Sequence, residues 1–158
     1  MIGIHAVASN RNADERMWNV GHWASLINQL DGDIVFIGTW DDRQYYNRIY
    51  GLIEDTKRIY DLCGRLTLEE VACYLYRLSC LVCVNSGIMH IAVYANIPTV
   101  AIVGGTPAFI ILPERDNIKY LEDPELKWWV TDAPHAPRVS RLNEIMPEMV
   151  LEKINELG

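Results

Sequence analysis

The segment NSGIMH, residues 85–90, is the part of this sequence best suited to hold a ligand. It follows an apolar run, SCLVCV (79–84), so small polar residues lie where a strand ends and a helix begins. Ser86 or Asn85 can cap that helix, and Gly87 lets another group approach the backbone closely. The free amides of the first turn, with the helix dipole, predict an anion site for a diphosphate. These amides belong to Gly87, Ile88 and Met89. An ordinary helix cap with a structural glycine would leave the same pattern.

Three cationic or titratable side chains lie near this predicted site in the sequence. His90 lies one turn into the helix, where it contacts the ligand or is simply a core histidine. Arg11 and Arg16 follow the first predicted strand, and either could reach a phosphate at the same sheet edge or remain a solvated loop charge.

The remaining candidates follow other predicted strands. In an open parallel sheet, ligands bind beyond the carboxyl ends of the strands, at the point where the strand order reverses. Gly104-Gly105-Thr106 would let the backbone pack against a ligand or form a plain turn. Asp41 and Asp42 could bind sugar hydroxyls, but we favour a helix start there. The predicted contacts to the rest of the ligand are Ser9, Gly38, Thr39, Asn85, Gly104, Gly105 and Thr106.

Short apolar runs alternate with amphipathic segments along the chain. We predict strands over 2–7, 33–38, 57–62, 79–84 and 98–103, and helices over 20–30, 41–55, 67–77, 87–95 and 145–157. This order predicts an α/β fold, a Rossmann-like doubly wound parallel sheet of about five or six strands with helices on both faces. Thr67 and Glu70 predict a capping box at the start of the third helix, and Asn96 a left-handed residue that ends the fourth. The inward face of the second helix is predicted to hold Tyr45, Ile49, Leu52 and Ile53. Residues 104–144 lack clear periodicity.

Length and charge limit the possible functions. A chain of 158 residues fits one domain, 1–158, and half of the residues are hydrophobic, enough for a core. The net charge of −7 argues against a nucleic-acid partner. Residues 78–113 carry no Asp, Glu, Lys or Arg, but polar and glycine residues interrupt them, so we predict no transmembrane segment. No secretory signal is visible, and we expect a cytoplasmic protein, compatible with a peripheral position at a membrane.

The cysteines predict no metal site. Cys80 and Cys83 lie three apart in a predicted strand, so their side chains point to opposite faces. We expect buried thiols and no metal. The usual catalytic motifs are also missing, including G-x-S-x-G and both glycine-rich phosphate loops, and the sequence assigns no catalytic residue.

Three stretches together resemble the carboxyl-terminal half of glycosyltransferase family 9, the ADP-heptose:lipopolysaccharide heptosyltransferases. They are GRLTLEEVA (64–72), NSGIMHIA (85–92) and PTVAIVG (98–104). The amino end, IGIHAVASNRNADERMWNVGHWASLINQL, resembles the family's strand, phosphate loop and following helix. The resemblance is weakest over residues 107–144.

The resemblance implies one half of a GT-B fold that binds a nucleotide-diphosphate sugar, ADP-heptose or similar, without a cofactor. It implies diphosphate contacts from Ser86, Gly87, His90 and Arg16, and a ligand-side loop at 104–106. Departures from the family pattern are Asn85 for Asp, Val7 for a loop glycine and Asn19 for proline.

The resemblance also implies that the family's acceptor-binding half, with its catalytic carboxylate, would precede Met1. We therefore expect a heptosyltransferase-like domain that performs no transfer by itself. The alternative is a non-enzymatic module that binds nucleotide sugars or proteins. A dinucleotide-binding domain is disfavoured because the glycine fingerprint is missing. We further expect a separate acceptor-domain chain or self-association, with Trp128, Trp129 and the 107–140 region as the candidate surface.

Overall fold

A parallel sheet of six strands forms the centre of the protein in a computed structural model, which describes residues 1–8, 16–124 and 140–158. The strand order is β3-β2-β1-β4-β5-β6, and every neighbouring pair is parallel. The predicted doubly wound α/β fold is confirmed. The strands are β1 (Ile2–His5), β2 (Ile34–Phe36), β3 (Ile59–Asp61), β4 (Cys80–Val84), β5 (Thr99–Val103) and β6 (Ile118–Glu122).

Helices cover both faces of this sheet. They are α1 (Val20–Gln29), α2 (Arg43–Tyr50), α3 (Leu68–Leu75), α4 (Gly87–Tyr94), α5 (Ala108–Ile111) and α6 (Pro147–Asn155), and short 3-10 helices span Thr56–Arg58 and Leu142–Glu144. One core joins α1, α2 and α6 to the sheet. A second core joins α3, α4 and α5 to the opposite face. Because both faces are covered, β4 and β5 are buried along their whole length, as continuously apolar strands predict.

Alternating side chains of β4 divide between the two cores. Cys80 belongs to the α1 side and Cys83 to the α4 side, which confirms that these thiols point to opposite faces. All four cysteines are free thiols, and Cys73 alone among them is exposed. Burial raises the pKa of the Cys80 thiol to about 12 and also raises that of Cys83, so both remain protonated at neutral pH.

Local signals fix the ends of several helices. Thr67 and Glu70 form the predicted capping box at the start of α3, with Thr67 N–H donating to the Glu70 carboxylate at 2.8 Å. Asn96 has a φ of 59°, which confirms it as the left-handed residue that ends α4. Asn19 caps α1 by accepting from the Gly21 N–H at 2.7 Å.

Two regions differ from the sequence prediction. Residues 104–144 contain α5 and the edge strand β6, although their periodicity is weak. Helix α2 spans eight residues rather than the predicted 41–55, and it buries Tyr46 and Ile49. Leu52, predicted to point inward, is 54% exposed, whereas Ile49 and Ile53 are buried and Tyr45 packs against the core as predicted.

Candidate functional site

The strand order reverses between β1 and β4, which are neighbours in the sheet although β2 and β3 separate them in the sequence. β2 continues the sheet on one side of this pair and β5 on the other, so the carboxyl ends of all four strands lie along one edge. In a doubly wound sheet this position is where ligands bind. The structure therefore brings the loops that follow β1, β2, β4 and β5 to the predicted edge.

Asn85 joins the end of β4 to the loop after β5. Its backbone N–H donates to the Ile102 carbonyl at 3.3 Å, and its side-chain Nδ2 donates to the Gly104 carbonyl at 3.4 Å. A carboxylate at this position has no hydrogen to donate to a carbonyl oxygen. Asn85 therefore forms a bond between the two loops that an Asp, which the resembled family has at this position, could not form.

Ser86 caps helix α4 in an extended conformation, with a φ of −154° and a ψ of 171°. Its Oγ accepts from the Met89 N–H and its carbonyl accepts from the His90 N–H, each at 3.4 Å. The amide of Met89, predicted to face a ligand, is thus engaged by the cap. The N–H groups of Gly87 and Ile88 have no intrahelical acceptor, and no acceptor among the described residues takes them.

The space in front of these two amides is open. A Cβ placed on Gly87 would meet no heavy atom within 4 Å, and Gly87 is exposed. Val7, whose branched side chain could have crowded a phosphate, is half-buried and packs against the core on the α1 side. His90 is exposed, so it is not a core histidine. The helix start thus presents two N–H donors to open space, with the positive end of a helix dipole behind them.

Residues 9–15, which include the predicted contacts Ser9 and Arg11, lie outside the described part of the chain. The described chain resumes at Arg16. The N–H of Ala8 donates to the Met17 sulfur at 3.2 Å. This contact places Arg16, which directly precedes Met17 and is half-buried, at the carboxyl end of β1. Arg16 therefore lies at the edge where the predicted phosphate site begins, as its position in the sequence indicates.

Asp42 organises the loop after β2. Its carboxylate accepts from the Thr39 N–H at 2.7 Å and makes no capping bond to α2. The Gly38 carbonyl accepts from the Gly64 N–H at 2.9 Å, which ties this loop to the end of β3. Thr39 and Asp41 are exposed and Gly38 is half-buried, so the predicted contacts Gly38 and Thr39 lie at the carboxyl edge with Asp42 behind them.

Acidic side chains at the end of β6 contact the loop after β5 and the chain that precedes α6. Gly105 has a φ of 77°, a conformation that favours glycine, while Gly104 is buried and Thr106 is half-buried. The Glu122 carboxylate accepts from the Ala108 N–H at 2.6 Å. The buried Asp123 accepts from the Arg141 N–H at 2.9 Å. Sequence reasoning missed both acidic residues because β6, which ends at Glu122 and directly precedes Asp123, was not predicted.

His5 and Tyr46 are the other residues that sequence reasoning missed. The Tyr46 hydroxyl accepts from the Ala6 N–H at 2.8 Å and lies 2.7 Å from the Ile37 carbonyl, between the ends of β1 and β2. His5 Nδ1 lies 2.7 Å from the same Ile37 carbonyl. Burial lowers the pKa of His5, although this hydrogen bond and the charge of Asp42 oppose the shift, so the ring is neutral at pH 7. No sequence motif marks either residue.

Two features are absent from the part of the chain that the structure describes. Among residues 1–8, 16–124 and 140–158, no three His, Cys, Asp or Glu side chains are grouped so that they could hold a metal ion. In the same part of the chain, no helix has the length and apolar character needed to cross a membrane. Trp128 and Trp129, the predicted interface residues, lie outside the described residues.

Comparison with known proteins identifies the family. Residues 1–126 match the sequence profile of glycosyltransferase family 9 (heptosyltransferase). The chain is 29% identical over 150 residues to lipooligosaccharide heptosyltransferase 2 of Haemophilus influenzae, covering 90% of this chain and 43% of that protein. The chain therefore spans less than half the length of this relative.

Solved structures share the fold. The Escherichia coli ADP-heptose lipopolysaccharide heptosyltransferase II superposes with a TM-score of 0.81 at 23% identity, covering 99% of this chain and 45% of that one. A glycosyl transferase family 9 protein from Veillonella parvula superposes with a TM-score of 0.83 at 21% identity, again with 99% and 45% coverage. The match over most of the sequence, together with this shared fold, shows that the chain belongs to glycosyltransferase family 9, the heptosyltransferases.

Proposed function

We propose that this chain binds the donor of a heptosyl transfer, a nucleotide-diphosphate sugar such as ADP-heptose. The observation that carries the proposal is the pair of open amides, Gly87 and Ile88, at the start of α4. They lie where the strand order reverses, in a chain of the heptosyltransferase family. The E. coli structure that this fold matches is named for ADP-heptose, which makes that compound the first donor to test.

The diphosphate would accept hydrogen bonds from the Gly87 and Ile88 N–H groups. During transfer, the bond between the sugar and the diphosphate breaks, and negative charge builds on the departing phosphate. Two fixed N–H donors and the α4 dipole would stabilise that charge, because groups held in place by the helix need no reorientation during the reaction. Arg16, at the end of β1, would supply a positive charge to the same group. This role is electrostatic and needs no metal.

The nucleoside and sugar would extend along the same edge of the sheet. The loop after β5, residues 104–106, borders the α4 start on one side. On the other side the loop after β2, with Gly38 and Thr39, lies one strand beyond the end of β1. Asn85 fixes the second of these loops by its bond to Gly104. We propose these residues, with Ser9, as the remaining donor contacts.

The full transfer reaction also needs an acceptor and a base that removes the proton from its hydroxyl. We assign neither to these 158 residues. The relatives are more than twice as long as the stretch matched here, and their names specify lipooligosaccharide or lipopolysaccharide. We propose that the acceptor is a lipopolysaccharide precursor in the cytoplasm or at its membrane surface. We also propose that the acceptor site lies in a region or partner chain corresponding to the rest of those relatives.

Isothermal titration calorimetry tests donor binding. Wild-type protein is titrated with ADP-heptose, ADP, UDP and pyrophosphate. We expect ADP-heptose and ADP to bind, and Gly87→Val to weaken both strongly, because the added side chain enters the open space that the phosphate needs. Gly51→Val is the matched glycine control, since Gly51 has an ordinary φ of −66°, an added Cβ there would make only ordinary contacts, and it lies at the end of α2 opposite to the loop after β2.

Two results would contradict the proposal. One is the absence of binding across the whole panel by folded wild-type protein, which would favour a module without a nucleotide-sugar ligand. The other is unchanged binding of ADP by a folded Gly87→Val variant.

A further inference from the structure

Trp40 is a large aromatic side chain that remains in solvent beside the proposed donor site. It is 66% exposed and follows Gly38 and Thr39 in the loop after β2. An indole has a large apolar surface, so in a folded protein it is normally buried. Trp40 is exposed instead, and neighbouring residues hold its side chain in place.

Two contacts fix the position of Trp40. The guanidinium carbon of Arg43 lies 4.5 Å from the centroid of the indole ring, a cation–π contact, and Arg43 is itself held by Asp61 at 2.8 Å. Behind the backbone, a Cβ on Gly64 would lie 2.9 Å from the Trp40 Cα, so the two loops are packed as closely as a glycine allows. The indole is therefore braced on one face by an ion pair and at its base by the loop after β3.

The location of Trp40 matches the length of a nucleotide. β2 and β4 lie on the two sides of β1, which separates their ends by about 10 Å, two strand spacings. A nucleoside diphosphate whose phosphates lie at the start of α4 extends far enough to bring its base over the loop after β2. The indole ring offers a flat apolar surface at that place, and planar bases stack on such surfaces.

We propose that Trp40 is the stacking platform for the nucleobase of the donor, and that it favours a purine because a purine covers more of the indole. This inference rests on the proposed donor site and specifies its base-binding end. Arg43 and Asp61 act as positioning residues that keep the ring in its stacking orientation. Neither needs to contact the ligand.

Calorimetry with three ligands, and with UDP for comparison of the base, separates this role from a structural one. ADP carries a base, ribose 5-diphosphate lacks it, and pyrophosphate lacks the nucleoside altogether. For Trp40→Ala we expect the affinity for ADP to fall roughly 5- to 140-fold, the loss that corresponds to stacking one base. Affinities for ribose 5-diphosphate and pyrophosphate should stay at the wild-type values. Trp40→Phe should restore most of the ADP affinity, and the loss for Trp40→Ala should be smaller with UDP than with ADP.

The control variant is Tyr94→Ala. Tyr94 is also an exposed aromatic residue, 92% exposed, but it lies at the last residue of α4, away from the proposed site. This variant should bind all three ligands as the wild type does.

Each alternative outcome has a distinct meaning. Unchanged ADP affinity in Trp40→Ala, or an equal loss for ADP and ribose 5-diphosphate, would overturn the stacking role while leaving the donor site intact. Failure of the wild type to bind any of the three ligands would overturn the proposed function and, with it, this inference.

Discussion

The indole N–H of Trp18 donates a hydrogen bond to the carbonyl oxygen of Ile145 at 2.9 Å, across 127 positions of the sequence. Trp18 is buried, and the Tyr45 hydroxyl of α2 donates to its carbonyl oxygen. The segment that carries Arg16 back to the end of β1 is therefore anchored to α2 and to the chain just before α6. Because the family match ends at residue 126, the carboxyl-terminal part of the chain supports the site from outside the matched region.

Trp18→Phe should destabilise the fold more than Trp23→Phe. Both indoles are fully buried and lose the same atoms, but the Trp23 Nε1 has no hydrogen-bond partner of good geometry among the described residues. The difference should be about 1 kcal/mol in the free energy of unfolding, the contribution of one hydrogen bond. Urea denaturation of both variants measures it. Equal destabilisation would mean that the bond to Ile145 contributes nothing.

Gly64→Ala should destabilise the fold more than Gly32→Ala. Both glycines have positive φ, 69° and 77°, so each alanine variant incurs the cost of a left-handed residue, about 1–2 kcal/mol. Only at Gly64 would the new Cβ lie 2.9 Å from a backbone atom, the Trp40 Cα. This crowding should add about 1–3 kcal/mol. Thermal and urea unfolding compare the two variants, and a smaller effect at Gly64 than at Gly32 would disprove the close packing of the two loops.

His5 should make the fold less stable as the pH falls. Burial lowers the pKa of His5 below its ordinary value of 6.5, so the unfolded chain takes up this proton more readily than the folded protein. The stabilisation is complete above pH 6.5 and is lost as the pH falls from that value toward the lower folded pKa. The unfolding free energy of His5→Asn should therefore fall less steeply than that of the wild type between pH about 7.5 and 5. Denaturation curves measured across this range test it, and parallel pH profiles would contradict the assignment.

The sequence was sufficient to predict the elements that carry strong local signals. The turn from β4 to α4 combines a wholly apolar strand with Ser86 and Gly87, and both boundaries agree with the structure. The capping box of Thr67 and Glu70 and the left-handed Asn96 were predictable for the same reason, because the side chain that forms the feature lies within a few residues of it.

Features that depend on distant contacts escaped prediction. β6 is an edge strand whose side chains are mostly half-buried or exposed, so its sequence, IKYLE, lacks the apolar continuity of β4. The inward face of α2 was predicted in part. Ile49 and Ile53 are buried as predicted, but Leu52 is exposed. Tyr46 is drawn inward by partners at the ends of β1 and β2 that no local pattern shows. His5 lies inside an apolar run, and only the folded sheet reveals the Ile37 carbonyl beside it.

The most direct measurement of the central claim is a ¹H–¹⁵N NMR titration of the protein with ADP. The backbone amides of Gly87 and Ile88 are open in the free protein and should shift strongly as phosphate oxygens accept their hydrogen bonds. The amide of Met89, already bonded to Ser86, should shift less, and that of Gly32 should not move. Binding of ADP that leaves the Gly87 and Ile88 resonances unchanged would contradict the account, because the diphosphate would then lie elsewhere.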